Sequence, residues 1–140
     1  MNSDMEHLWP VCLKLLEDGV TPELEEHISA DFHYSDPLVG EGDTHTYMTR
    51  VANMESLFSD WEMRDEGHAW HGNEVFARVP FSCRVSETGK WWTVDEMVRV
   101  VFDDEGKITE IVGYYDPTPL LESVPDVGEA MTQAKQRFLG

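Results

Sequence analysis

The chain has 140 residues, a length that fits one domain of about 100 to 200 residues with one buried core. Hydrophobic residues make up 41% and charged residues 27%, globular proportions that exclude a disordered or fibrous chain. Lys plus Arg number 10 against 28 Asp plus Glu, a formal charge of −18 that repels phosphate backbones and anionic headgroups and so argues against nucleic acid or membrane partners.

The N-terminus, residues 1–7, carries acids where an export signal needs a basic start, and no apolar run reaches membrane-spanning length. Cys12 and Cys83 form no CxxC and no metal-like spacing, which suits a reducing cytoplasm without a disulfide framework. Leu8, Val11, Cys12, Leu15 and Leu16 recur at helical spacing and stop at Asp18-Gly19, predicting an amphipathic helix with a glycine C-cap. Pro10 fits only its first turn, so the helix begins near Trp9 or is kinked there. Thr21-Pro22-Glu23 supplies a cap, an N1 proline and a first-turn acid, predicting a short second helix through Ile28.

Residues 32–36 read as a short extended piece and 37–43 as turns, after which Tyr47, Val51, Met54 and Phe58 mark a third helix. The pattern then turns to strands at 61–70, 75–85, 91–102 and 108–115, separated by turns at His71-Gly72-Asn73, Glu87-Thr88-Gly89 and residues 103–106. Pro117, Pro119 and Pro125 interrupt regular structure before a terminal helix over about 127–138. Helices followed by a four-stranded antiparallel meander give an α+β class, one domain over 1–140 with its core at about 8–117 and an extension at 118–140.

Ala30-Asp31-Phe32 leading to Ser35-Asp36-Pro37, then Gly42, then Asp104-Glu105-Gly106-Lys107-Ile108 leading to Gly113-Tyr114-Tyr115-Asp116, resembles the NTF2-like superfamily of SnoaL-like type. The resemblance implies a cone, a curved antiparallel sheet wrapped around the N-terminal helices with an internal pocket. That superfamily includes isomerases, cyclases, epoxide hydrolases, dehydratases and proteins that only bind, so the fold does not choose among them. The nearest motif is that of ketosteroid isomerase, whose general base is an acid followed by proline at a fixed interval after the glycine ending the first helix. Gly19 and Asp36-Pro37 keep that interval. The same enzyme's oxyanion-hole tyrosine falls on Cys12 and its protonated aspartate on Val98, so both donors are absent. The essential aspartate of the epoxide hydrolases and SnoaL-type polyketide cyclases falls on Gly113. Of the hydrolase's arginine and aspartate two apart, Arg78 matches and Pro80 departs.

The resemblance points Asp36 into the cone, and Tyr34, two residues earlier on an extended segment, shares its side. A carboxylate in an apolar cavity suits a base that removes a proton beside a carbonyl, whereas an Asp-Pro step is also ordinary turn chemistry. Alternation puts Val94, Glu96, Val98, Val100 and Phe102 on one face of the third strand and Ile111, Gly113 and Tyr115 on one face of the last. In the family register those faces line the pocket. Glu96 is then a second acid, although a position near a strand start is commonly solvated, and Tyr115 is a hydroxyl donor. Asp116 points outward and is a fallback.

His68 and His71 lie on opposite sides of a strand, so no shared metal is expected, and His68 alone is a candidate proton shuttle. The expected catalytic set is Asp36, Tyr34, Tyr115, His68 and Arg78. The expected ligand-lining set is Trp9, Cys12, Val51, Glu96, Val98, Phe102, Ile111 and Gly113. The expected activity is cofactor-free acid/base cyclisation, isomerisation or elimination on a small hydrophobic carbonyl compound; the alternative is a module that binds a ligand or partner without reaction. Trp91 and Trp92 must face opposite sides of their strand, and the outer sheet face is where relatives form homodimers.

Overall fold

The computed structural model describes residues 4–38, 40–123 and 125–139. Met1–Ser3 of the acidic N-terminal segment and Val39 of the predicted turn lie outside the described residues. The first apolar stripe folds as α1, Trp9–Asp18, with Pro10 in the first turn, where a missing N–H breaks no helical hydrogen bond. Trp9, Cys12 and Leu15 form its buried stripe, and Gly19, at φ 76°, returns its N–H to the Leu15 carbonyl at 2.8 Å.

The predicted second helix shrinks to a 3-10 turn at Glu25–His27, because from Ile28 the chain is drawn into strand β1, Ile28–Asp36. Strand pairing outweighs local helix signals here, since Ile28 and Tyr34 lie beside Ile108 and Ile111 in parallel register. The extended piece predicted at 32–36 is therefore longer than expected. Strand β2, Gly40–Gly42, folds back on β1, and α2, Thr44–Leu57, starts at Asp43, whose carboxylate accepts the Thr46 N–H at 2.9 Å.

The four predicted strands form in the predicted order, and three of them are bent. Their segments are β3, Phe58–Met63, with β4, His68–His71; β5, Glu74–Arg78, with β6, Phe81–Val85; and β7, Trp91–Val94, with β8, Met97–Phe102. Strand β9, Ile108–Tyr114, follows unbroken. The segments sort into a six-stranded sheet, β2-β1-β9-β8-β5-β4, and a three-stranded sheet, β3-β6-β7. Pro80 explains where β5 and β6 part, since it has no N–H for the ladder. Register nonetheless continues across the bend, with Phe81 opposite Val94 and Arg78 opposite Met97, and the Val79 N–H donates to the Glu96 carbonyl at 2.8 Å. The β3–β6 pair shifts register between Ser59 and Glu62, where Asp60 takes φ 55°.

Two apolar clusters result. The first packs α1 against β1, β5, β8 and β9 through Cys12, Leu15, Val98, Phe102 and Ile111. The second packs the three-stranded sheet under helix α3, Thr118–Leu121, through Phe58, Phe81, Cys83, Val94 and Leu120. Helix α4, Pro125–Leu139, begins two residues before the predicted helix, since proline suits a first helical position, and no described helix is long and apolar enough to cross a membrane. Phe102 is fully buried, so Phe102→Ala should lower stability by about 3–5 kcal/mol in urea unfolding, whereas Glu87→Ala on an exposed turn should change it by no more than about 0.5 kcal/mol.

Candidate functional site

Between the two clusters lies a partly open cavity of about 90 Å³. Leu16, Glu17 and Gly19 reach it from the end of α1, and Tyr47, Val51, Met54 and Glu55 from one face of α2. The sheets contribute Tyr34 and Asp36 from β1, Trp61 and Met63 from β3, Phe81 from β6, Glu96 from the β7–β8 bend and Tyr115 from just beyond β9.

Asp36 is the last residue of β1, and strand alternation brings Tyr34 to its side. The Tyr34 hydroxyl donates to Asp36 Oδ2 at 2.5 Å, and the Leu38 N–H donates to Oδ1 at 2.8 Å. The Tyr115 hydroxyl lines the same wall, near enough to feel the Asp36 charge. Tyr34 packs on Tyr47 with ring centroids 4.3 Å apart, and Phe81 meets Tyr115 edge-on at 5.6 Å. Burial first, and then the nearby carboxylate charges, hold the Tyr34 and Tyr115 hydroxyls well above the usual phenol range, so both remain O–H donors.

Glu96 is only 5% exposed although it lies near a strand start. Its place depends on Gly113: a Cβ there would sit 2.7 Å from Glu96 Oε1 and 3.4 Å from the Asp36 Cβ. The glycine that stands where relatives are expected to carry an aspartate thus leaves the space that a glutamate carboxyl from the neighbouring strand fills. Burial, followed by the charge of Asp36, pushes the Glu96 pKa up to about 8, so at neutral pH this carboxyl mostly keeps its proton.

Five of the expected residues, Tyr34, Asp36, Val51, Glu96 and Tyr115, meet in the cavity wall, and Gly113 abuts it. Trp9, Cys12, Val98, Phe102 and Ile111 are buried in the first cluster and do not line the cavity. Arg78 lies away from it, because Ala77 and Val79 take the inward face on either side and leave the guanidinium outside, paired with Asp95 at 2.9 Å and Glu66 at 2.9 Å. His68 is also elsewhere. Its Nδ1 contacts Asp65 at 2.8 Å and its Nε2 contacts Glu6 at 2.5 Å, while Trp9 Nε1 donates to the same Asp65 and Trp70 Nε1 to the same Glu6. Burial alone lowers the His68 pKa, but the two carboxylates outweigh it and raise it above the ordinary value. This cluster fastens the 3-10 turn Glu6–Leu8 to the edge of the six-stranded sheet.

The sequence reading missed Tyr47, Met54, Trp61 and Phe81 as cavity residues. For the first two a signal existed, since Tyr47, Val51 and Met54 form the apolar stripe of α2 that faces the cavity. No comparable signal marks Trp61 and Phe81, which meet only because β3 pairs with β6. Among the described residues no group of three His, Cys, Asp or Glu side chains could hold a metal ion.

A curved sheet around α1 and α2, with acids and tyrosines converging inside, defines an NTF2-like cone. The model of the SnoaL-like domain matches residues 13–111, and the chain belongs to that family. A protein from Jannaschia sp. CCS1 assigned as a SnoaL-like polyketide cyclase is similar at 14% identity and TM-score 0.74, over 89% of this chain and 96% of that one. AclR from Streptomyces galilaeus, assigned as a hydroxylase, is similar at 15% identity and TM-score 0.71, over 86% and 84%. A protein of ketosteroid isomerase-like fold from Catenulispora acidiphila, in complex with trimethylamine, is similar at 15% identity and TM-score 0.70, over 83% and 90%. At these identities the likeness is one of fold. No curated protein matches the chain.

The raised Glu96 pKa has a consequence for stability. Unfolded chain releases this proton near 4.5, whereas the folded protein holds it to about 8. Between those values the native state binds more proton, so wild-type stability falls as pH rises through the window and levels off above it. Glu96→Gln keeps the volume and lacks the titration. Its stability relative to wild type should therefore increase from about pH 5 to 8, by on the order of 2 kcal/mol, in urea titrations at stepped pH.

Proposed function

We propose that the chain is a small-molecule enzyme of SnoaL-like type that removes a proton from carbon next to a carbonyl, without a cofactor, leading to cyclisation, isomerisation or elimination. The observation that carries this reading is Asp36, fixed in the cavity wall by the Tyr34 hydroxyl and the Leu38 N–H, with the Tyr115 hydroxyl beside it. Asp36 is the base. Tyr115 donates to the oxyanion that develops on the carbonyl, and Tyr34 holds the carboxylate in place.

The aromatic and aliphatic walls contributed by Tyr47, Val51, Met54, Trp61 and Phe81 support a ligand with apolar surface. A second reading, a module that holds a ligand without turning it over, is favoured by the modest cavity of about 90 Å³. The outer sheet face supports a homodimer, because Met97 and Tyr114 pair across β8 and β9 as exposed apolar side chains, with Phe76 exposed on β5.

Exchange of the α-hydrogens of small cyclic ketones in D₂O, followed by proton NMR, reports proton abstraction without knowledge of the natural substrate. Wild-type protein should accelerate the exchange, Asp36→Asn should lose about 10²-fold or more, and Tyr34→Phe should lose less than Asp36→Asn. Exchange unchanged in Asp36→Asn would remove Asp36 as the base, and no exchange by the wild type would favour the binding module. Light scattering on the eluting protein should give twice the chain mass of 16.1 kDa, and a monomer would remove the dimer.

A further inference from the structure

The cavity is chemically one-sided. Among the described residues four carboxyl groups line it, Asp36 and Glu96 inside and the exposed Glu17 and Glu55 at its mouth, and no lysine, arginine or histidine does so. Five aromatic rings share the same wall: Tyr34, Tyr47, Trp61, Phe81 and Tyr115. Negative ring faces and carboxylates attract the same class of ligand, and a concave site in a chain of formal charge −18 concentrates cations in front of it. A second observation is independent of that composition. Glu96 is 95% removed from solvent and borders the cavity, yet no hydrogen bond or ion pair formed by the described residues involves its carboxyl. Buried carboxyls ordinarily have partners, and the remaining direction for this one is the cavity.

We infer that the ligand of this cavity is a small organic cation, a protonated or quaternary amine, whose positive group sits against Glu96 and Asp36 within the aromatic wall. An anionic ligand would face four carboxyl groups with no counter-charge among the described lining residues. The volume of about 90 Å³ suits a compact ammonium head, with the remainder of a larger ligand directed to the open side. The inference deepens the acid/base reading and rests on it for one point only: a cation beside a carbonyl makes the neighbouring C–H more acidic, which eases abstraction by Asp36.

Glu96 then couples binding to protons. It shares the cavity with Asp36 and Tyr34 from β1, Tyr47 from α2 and Tyr115 from the end of β9, Asp36 being the one carboxyl among these, and with Glu17 and Glu55 at the mouth. A bound cation favours the ionised form of Glu96, so binding releases a proton below pH 8 and tightens as pH rises toward it.

Tetramethylammonium tests this without ambiguity, because it does not titrate and does not react, and tert-butanol is a neutral probe of similar shape. Calorimetry in two buffers of different ionisation heat, at ionic strength fixed with potassium chloride, should show saturable tetramethylammonium binding with proton release. Affinity should rise by at most about tenfold per pH unit below 8 and flatten above it. Glu96→Gln should weaken binding about tenfold at pH 8 and abolish the proton release, and Trp61→Leu should weaken it while leaving the proton release intact. Equal affinity for tert-butanol, no saturable binding, or binding indifferent to Glu96→Gln would each overturn the inference. All of these readings are separate from the ketone exchange assay, so failure of the cation site and failure of Asp36 as base are distinguishable.

Discussion

Pro80 cannot donate to a sheet ladder, and the bend at that point arranges everything around it. Register is kept on both sides, so the β5–β6 and β7–β8 hairpin is one bent ribbon rather than two unrelated pairs. The bend directs Phe81 and Val94 into one apolar cluster and Val75, Val98 and Val100 into the other. A flat sheet would have merged these into a single filled core. The curved one leaves a space between them, at the level of Glu96, into which the ends of β1 and β9 deliver Asp36 and Tyr115.

Within that space two acids are held close together in mainly apolar surroundings, an arrangement that opposes folding at neutral pH. Burial and the Asp36 charge both disfavour an ionised Glu96, and the chain accommodates this by keeping the proton. Gly113 is the local permission for it, since a Cβ there would sit 2.7 Å from Glu96 Oε1 and oblige that carboxyl to move.

The opposite edge of the six-stranded sheet shows the same residue types in another role. Glu6, Asp65 and His68 share their charges and hydrogen bonds with the indoles of Trp9 and Trp70, and the cluster holds the N-terminal turn to the sheet. A histidine between two carboxylates has the composition of a proton relay. Here its partners are also bound to structural tryptophans, and it lies outside the cavity. Composition alone does not separate the two roles; position relative to the cavity does.

Periodicity in the sequence determined the α+β class, the helices near Trp9 and Tyr47, the strand order and the inward face Val94, Glu96, Val98, Val100 and Phe102, because 3.6- and 2-residue repeats are written in local order. The interval from Gly19 to Asp36-Pro37, read through a family resemblance, located one wall of the cavity. Tertiary structure alone decided the rest. The helix predicted after Thr21 gave way to strand pairing with β9, Arg78 and His68 were placed outside, and Trp61 and Phe81 were brought in by β3–β6 pairing. The depth of Glu96 likewise depended on a glycine 17 positions away in sequence and adjacent in space. Each of these outcomes depends on which strands become neighbours, and that is a property of the packed chain that no local window contains.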